Sequence, residues 1–226
     1  MKVHTGEPLK RAGTPLEEAR GAVILVHGRG ATPENILELA GVLDRPDLAW
    51  MAPAAANRTW YNHSFMAERE KNEPHLSSAL ELLGSLVDQV KEKGIPLERT
   101  VLLGFSQGAC LSSEFVYRNP GRYGGLVLFS GGLIGPPGTT WSTEGDLSGT
   151  PVFLGCSDVD AHIPVERVHA TTRVLGEMGA QVTERIYPGM GHLVNRDEIQ
   201  EARKLLDEAV PPPPERAAGG GSGSDT

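Results

Sequence analysis

Val101-Leu102-Leu103-Gly104-Phe105-Ser106-Gln107-Gly108-Ala109 is an apolar run too short for a helix; it ends in Gly-x-Ser-x-Gly and passes directly into helix-forming residues. The pattern reads as strand, tight turn, helix. In such a turn the serine backbone is strained, and glycines two before and two after it leave room for the approaching strand and helix. The serine hydroxyl then stands at the carboxyl edge of a sheet. Gly-x-Ser-x-Gly is common in loops, so its meaning depends on finding a base, an acid and an oxyanion site in the right order.

Working outward, strands and helices alternate. Upstream, Ala22-Val23-Ile24-Leu25-Val26 is a continuous apolar run, as in strands buried on both faces. It ends in His27-Gly28-Arg29-Gly30, after which Thr32 and Pro33 open a helix with Ile36, Leu39, Ala40 and Leu43 on one face. A short strand near Leu48 to Met51 follows, then an aromatic loop, 57–63, and a helix over 75–93 that stops at Gly94 and Pro96. Downstream of the elbow, 107–118 is helical and Leu126-Val127-Leu128-Phe129 is a buried strand. The stretch 131–150 is a long loop. Val152-Phe153-Leu154 is a strand, a helix follows from Val165, and Val182, Glu184 and Ile186 alternate as a half-exposed last strand. A final helix spans about 197–210. Residues 1–20 read as an edge strand or hairpin leading in. The expected fold class is α/β, a mostly parallel central sheet with helices on both faces and function at the carboxyl ends of its strands.

Composition bounds the function. The 226 residues allow one α/β domain over 1–210, with 211–226 a Pro-rich and then Gly/Ser-rich flexible tail. A net charge of −8 argues against nucleic acid or an anionic membrane as a general partner. No stretch approaches the ~20 apolar residues that span a bilayer, and the N-terminus has no signal-peptide core, so the expected compartment is the cytoplasm. The two cysteines, Cys110 and Cys156, are expected as buried thiols rather than a disulfide.

A serine hydroxyl needs a histidine to take its proton and a carboxylate to orient that histidine. In this fold class the chain order is Ser, Asp or Glu, His, each on a loop after a strand. Ser106, an aspartate after the Val152 strand and His192 after the Val182 strand satisfy that order. The candidate aspartates are Asp158 and Asp160.

The set His27-Gly28-Arg29-Gly30, Gly104-Phe105-Ser106-Gln107-Gly108-Ala109, Asp160-Ala161-His162-Ile163-Pro164 and Gly189-Met190-Gly191-His192 resembles the phospholipase/carboxylesterase family of α/β-hydrolases, over about 21–210. That family includes carboxylesterases, lysophospholipases and acyl-protein thioesterases. The resemblance implies Ser106 as nucleophile and His192 as general base. Counting from Pro151 it implies Asp160 as the acid, with Asp158 holding the loop by hydrogen bonds to nearby N–H groups. It also implies an oxyanion hole from the backbone amides of Arg29 and Gln107. The Arg29 side chain departs from the thioesterase branch, where an apolar residue is frequent. It either meets an anionic substrate group or is solvated or carboxylate-paired.

By the same likeness Trp60 and Tyr61 line an acyl pocket, ordinary core packing being the alternative for one of them. His162 lies near the acid as a candidate substrate contact. Leu133, Ile134 and Trp141 either wall the pocket or pin their loop. His27 reads as a buried imidazole bonding neighbouring loops. His63, His75 and His162 lack ligand spacing, so no metal and no cofactor are expected. The implied activity is hydrolysis of a small-molecule carboxylic ester through an acyl-serine, with acyl-protein thioesterase or lysophospholipase as alternatives. A non-catalytic binding module is the reading from another class, and a homodimer is left open.

Overall fold

In the computed structural model, which describes residues 3–213, seven strands form one sheet in the order β1-β3-β2-β4-β5-β6-β7. The strands are β1 (Leu9–Gly13), β2 (Ala22–Val26), β3 (Ala49–Pro53), β4 (Thr100–Phe105), β5 (Gly125–Phe129), β6 (Pro151–Ser157) and β7 (Gln181–Tyr187). Only β1 runs antiparallel, pairing Leu9 with Pro53 through Gly13 with Ala49; every other neighbouring pair is parallel. The leading segment is thus the edge strand the sequence suggested. Of the stretch assigned to the tail, 214–226 lies outside the described residues.

Strand periodicity explains the layering. In β2, Val23 and Leu25 point to one face while Ala22, Ile24 and Val26 point to the other, and all five are buried. The first face is covered by α1 (Pro33–Leu43) and α5 (Arg196–Ala209) through Ile36, Leu43, Ala202, Leu205 and Leu206. The second is covered by α2 (His75–Glu92), α3 (Gln107–Arg118) and α4 (Val165–Glu177), with Leu76, Leu83, Leu111, Phe115, Val168 and Leu175 facing inward. The helix starts carry the expected signals: Thr32 and Asn195 each close a capping box, and Pro33 occupies the first turn of α1.

α3 lies deepest. Every residue from Gln107 to Val116 is buried, including Glu114, which binds Arg118 at 2.7 Å and accepts the Ile134 N–H at 3.1 Å. The long 131–150 stretch contains no helix or strand. Leu133 and Ile134 are fully buried, and Trp141 lies 5.0 Å from the Arg167 guanidinium, which donates to the Leu133 carbonyl at 2.7 Å. These residues pin the loop. Among the described residues, no helix is long and apolar enough to cross a membrane.

Because Leu206 is fully buried on α5, Leu206→Ala removes apolar contacts beneath the sheet without touching its carboxyl edge. Urea unfolding should show a loss of about 2–5 kcal/mol.

Candidate active site

The elbow at Ser106 follows from two close approaches. A Cβ at Gly108 would sit 2.0 Å from the Val26 carbonyl oxygen, and one at Gly104 would sit 2.4 Å from that of Gly108. Only glycine lets α3 begin this near to β2 and β4. Ser106 between them takes φ 55° and ψ −118°, a left-handed conformation that costs ~1–3 kcal/mol for a residue with a side chain. Its backbone N–H donates to Phe129 at 2.9 Å, which secures the strained residue to β5. The side chain makes no cap bond to the helix, leaving Oγ available.

His192 reaches it from the loop after β7. Gly189 and Gly191 have φ 65° and 76°, and this left-handed pair folds the loop back over the sheet edge. Asp158 Oδ1 accepts the Gly189 N–H at 2.8 Å, and Ser157 Oγ accepts that of Gly191 at 3.0 Å. Asp158 therefore holds the loop, as expected, and Asp160 meets the ring: its Oδ2 lies 2.7 Å from His192 Nδ1. On the other side, His192 Nε2 lies 2.9 Å from Ser106 Oγ. The second Asp160 oxygen accepts the N–H groups of His162 at 2.8 Å and Ile163 at 3.1 Å. Burial opposes the Asp160 charge, but the His192 hydrogen bond and these two amides outweigh it and hold the carboxyl below its usual range. With Nδ1–H committed to Asp160, Nε2 is the ring nitrogen left to accept the serine proton.

A cleft of 490 Å³ opens at this point, lined by Arg29, Tyr61, Phe65, Ser106, Gln107, Ile163, His162 and His192 among others. That volume suits a small ligand. Gln107 begins α3, where backbone N–H groups have no intrahelical partner. Among the described residues, the N–H groups of Gln107 and Arg29 have no acceptor. His162 stands edge-on to His192 with ring centroids 4.7 Å apart, and Phe105 packs on the same ring at 4.9 Å.

Two expectations change. Trp60 is fully buried and does not line the cleft; its Nε1–H donates to the His27 carbonyl at 2.8 Å and its ring packs 4.8 Å from that of His27. It supports the cleft from behind, and Tyr61 is the member of the pair that lines it. The Arg29 guanidinium pairs with no carboxylate among the described residues, but donates to the carbonyls of Tyr61, Asn62 and His63 at 2.9, 3.1 and 2.8 Å.

His27 behaves as read from the sequence. Its Nδ1–H donates to Gly28 at 2.8 Å, Nε2 accepts the Ala55 N–H at 3.2 Å, and burial lowers its pKa. Cys110 and Cys156 are free and buried, and burial raises both thiols to about 12. No cluster able to hold a metal occurs among the described residues. Sequence reasoning missed the cleft residues Phe65 and Ile163, the buried clamp of His4 on the Trp60 carbonyl at 3.0 Å, and Glu198. Glu198 belongs to the capping box of α5, a pattern visible in Asn195-x-x-Glu198; its burial is not.

Comparison with known proteins gives a consistent result. The profile of the phospholipase/carboxylesterase family matches residues 11–210. The chain is 29% identical over 218 residues to acyl-protein thioesterase 1 of Eremothecium gossypii, covering 85% of this chain and 89% of that one. It is 25% identical over 199 residues to a probable carboxylesterase of Arabidopsis thaliana, SOBER1-like, covering 80% and 76%. A phospholipase/carboxylesterase crystal structure from Dyadobacter fermentans superposes with TM-score 0.86 at 40% identity, covering 91% of this chain and 98% of that one.

Glu198 is fully buried, with Oε2 accepting the Asn195 N–H at 2.8 Å and Oε1 without a partner among the described residues. Burial raises its pKa from 4.5 to about 7. Between those values the folded chain keeps a proton that the unfolded chain has lost, so this residue's contribution to stability falls as pH rises. Glu198→Gln keeps a cap acceptor and removes the titration. Urea unfolding should find the variant gaining on the wild type by up to ~3 kcal/mol between pH 4.5 and pH 7.5; a constant difference would refute the burial argument.

Proposed function

The chain belongs to the phospholipase/carboxylesterase family, and from that premise we propose that it cleaves small-molecule esters through an acyl-Ser106 intermediate. It is a serine hydrolase of carboxylic esters. The observation that carries the assignment of roles is the relay from Asp160 through His192 to Ser106, with links of 2.7 and 2.9 Å.

Ser106 Oγ attacks the ester carbonyl as its proton passes to His192 Nε2. The resulting imidazolium is stabilised by the buried Asp160 carboxylate, and the negative oxygen of the tetrahedral intermediate accepts the N–H groups of Arg29 and Gln107. One such donor is worth roughly 3 kcal/mol in the transition state. His192 then protonates the departing alkoxide, and the alcohol leaves the acyl-serine. Water enters, gives a proton to His192, attacks the acyl carbon and releases the acid as the proton returns to Ser106 Oγ. Tyr61 and His162 are the proposed substrate contacts from the sequence, and both line the cleft. The family match over 11–210, with a single sheet running from β1 to β7, supports reading 1–210 as one domain.

Similarity to an acyl-protein thioesterase favours one second reading, thioester cleavage by the same attack. Paired oxygen esters and thioesters of equal acyl length separate the two.

Ser106→Ala should abolish hydrolysis of p-nitrophenyl acetate and butyrate, and a fluorophosphonate should label Ser106 in the wild type alone. Wild-type turnover no faster than that of Ser106→Ala, with no label, would leave a non-catalytic binding module as the better reading. Asp160→Asn should lower kcat by roughly four orders of magnitude through loss of the correct His192 tautomer. Asp158→Asn should be much milder, because it loses a loop contact; the reverse ranking would transfer the acid role to Asp158.

A further inference from the structure

Residues 60–63 form a short stretch of irregular chain beside the cleft, and each of them is held by a side chain from a distant part of the fold. The Trp60 N–H donates to Gln107 Oε1 at 2.9 Å and its carbonyl accepts His4 Nε2–H at 3.0 Å. The Tyr61 carbonyl accepts two bonds, from Gln107 Nε2 at 2.8 Å and from the Arg29 guanidinium at 2.9 Å. The Asn62 and His63 carbonyls accept the same guanidinium at 3.1 and 2.8 Å, and the His63 N–H donates to Asn72 at 2.8 Å.

Arg29 and Gln107 also both line the cleft, and their backbone N–H groups have no acceptor among the described residues. Each therefore presents its main chain to the reaction and uses its side chain to grip one common segment. The planar guanidinium can satisfy three carbonyls in fixed geometry, which a single ammonium on a flexible stem does less well. Three charge-assisted hydrogen bonds outweigh the entropy of ordering one long side chain. They also occupy three of the five guanidinium N–H groups, which makes the side chain a structural clamp rather than an open anion receptor.

We propose that the Arg29 guanidinium and the Gln107 carboxamide are positioning groups, which fix both oxyanion donors against residues 60–63 before substrate arrives. The proposal rests on the reading of these two N–H groups as the oxyanion hole. Fixed donors stabilise the charge that develops in the transition state and do little for the neutral ester. Loosening them should lower kcat and leave KM in place.

The test is p-nitrophenyl acetate hydrolysis by the full chain carrying Arg29→Met, Arg29→Lys, Gln107→Met, or Arg29→Met with Gln107→Met. Turnover is counted per Ser106 titrated with fluorophosphonate, so that partial unfolding does not enter kcat. In parallel, the inhibition constant of a short trifluoromethyl ketone reports binding of an adduct that carries the oxyanion. Arg29→Met should lose at least about tenfold in kcat with KM within about twofold, and the ketone should weaken by a matching factor. Arg29→Lys should fall between it and the wild type. The double variant should lose less than the product of the single losses, because both clamps serve one segment. A raised KM at unchanged kcat would make Arg29 a substrate contact, and kcat within about threefold would make the clamp incidental; either result overturns the proposal. Wild-type turnover no faster than Ser106→Ala would instead fail the functional reading and the clamp together.

Discussion

A helix starts where there is room only for glycine, and the rest of the site depends on that constraint. The chain leaves β4 and enters α3 so close to β2 that a Cβ at Gly108 would nearly overlap the Val26 carbonyl. Ser106 is held in the left-handed region as a result. The strain is sustained because α3 is buried over its first ten residues and the Ser106 N–H is bonded to β5. This geometry makes one side chain stand clear of the sheet edge. It also leaves the first amide of the helix free, and brings Gly28 and Arg29, at the end of β2, beside it.

Around that fixed point, side chains and turn amides satisfy the polar groups of the other loops. Asp158 and Ser157 hold the His192 loop, Asp160 is held by the amides of its own turn, and 60–63 is held by Arg29, Gln107 and His4. Loops at a sheet edge have exposed amides and carbonyls that need partners, and side chains supply them here. The aromatic pair divides its work accordingly. Trp60 fills the space behind the cleft against His27, while Tyr61, also buried, is among the residues that line it.

Much of this was legible in the residues. Continuous apolar runs in β2, β4 and β5 announced strands buried on both faces, and the glycine spacing about Ser106 announced the elbow, because both patterns arise from local sterics. The preference for Asp160 over Asp158 came from the family likeness, and the two carboxylates now have distinct partners. The fate of Arg29 could not be read: its three acceptors lie 32 to 34 residues away on the chain. His4 was equally silent, since nothing in the polar leading segment marks a histidine that will be buried 56 residues from its partner.

By itself the sequence determined the order of strands and helices and the family, and it singled out Ser106 and His192 as candidates, because these depend on short-range periodicity and on a few residues at fixed spacing. Only the tertiary structure decided which carboxylate meets His192, that Trp60 lies behind the cleft, and that Arg29 grips 61–63. Those outcomes turn on where loops from different strands meet in space, and on which polar atoms remain without partners once the sheet has closed.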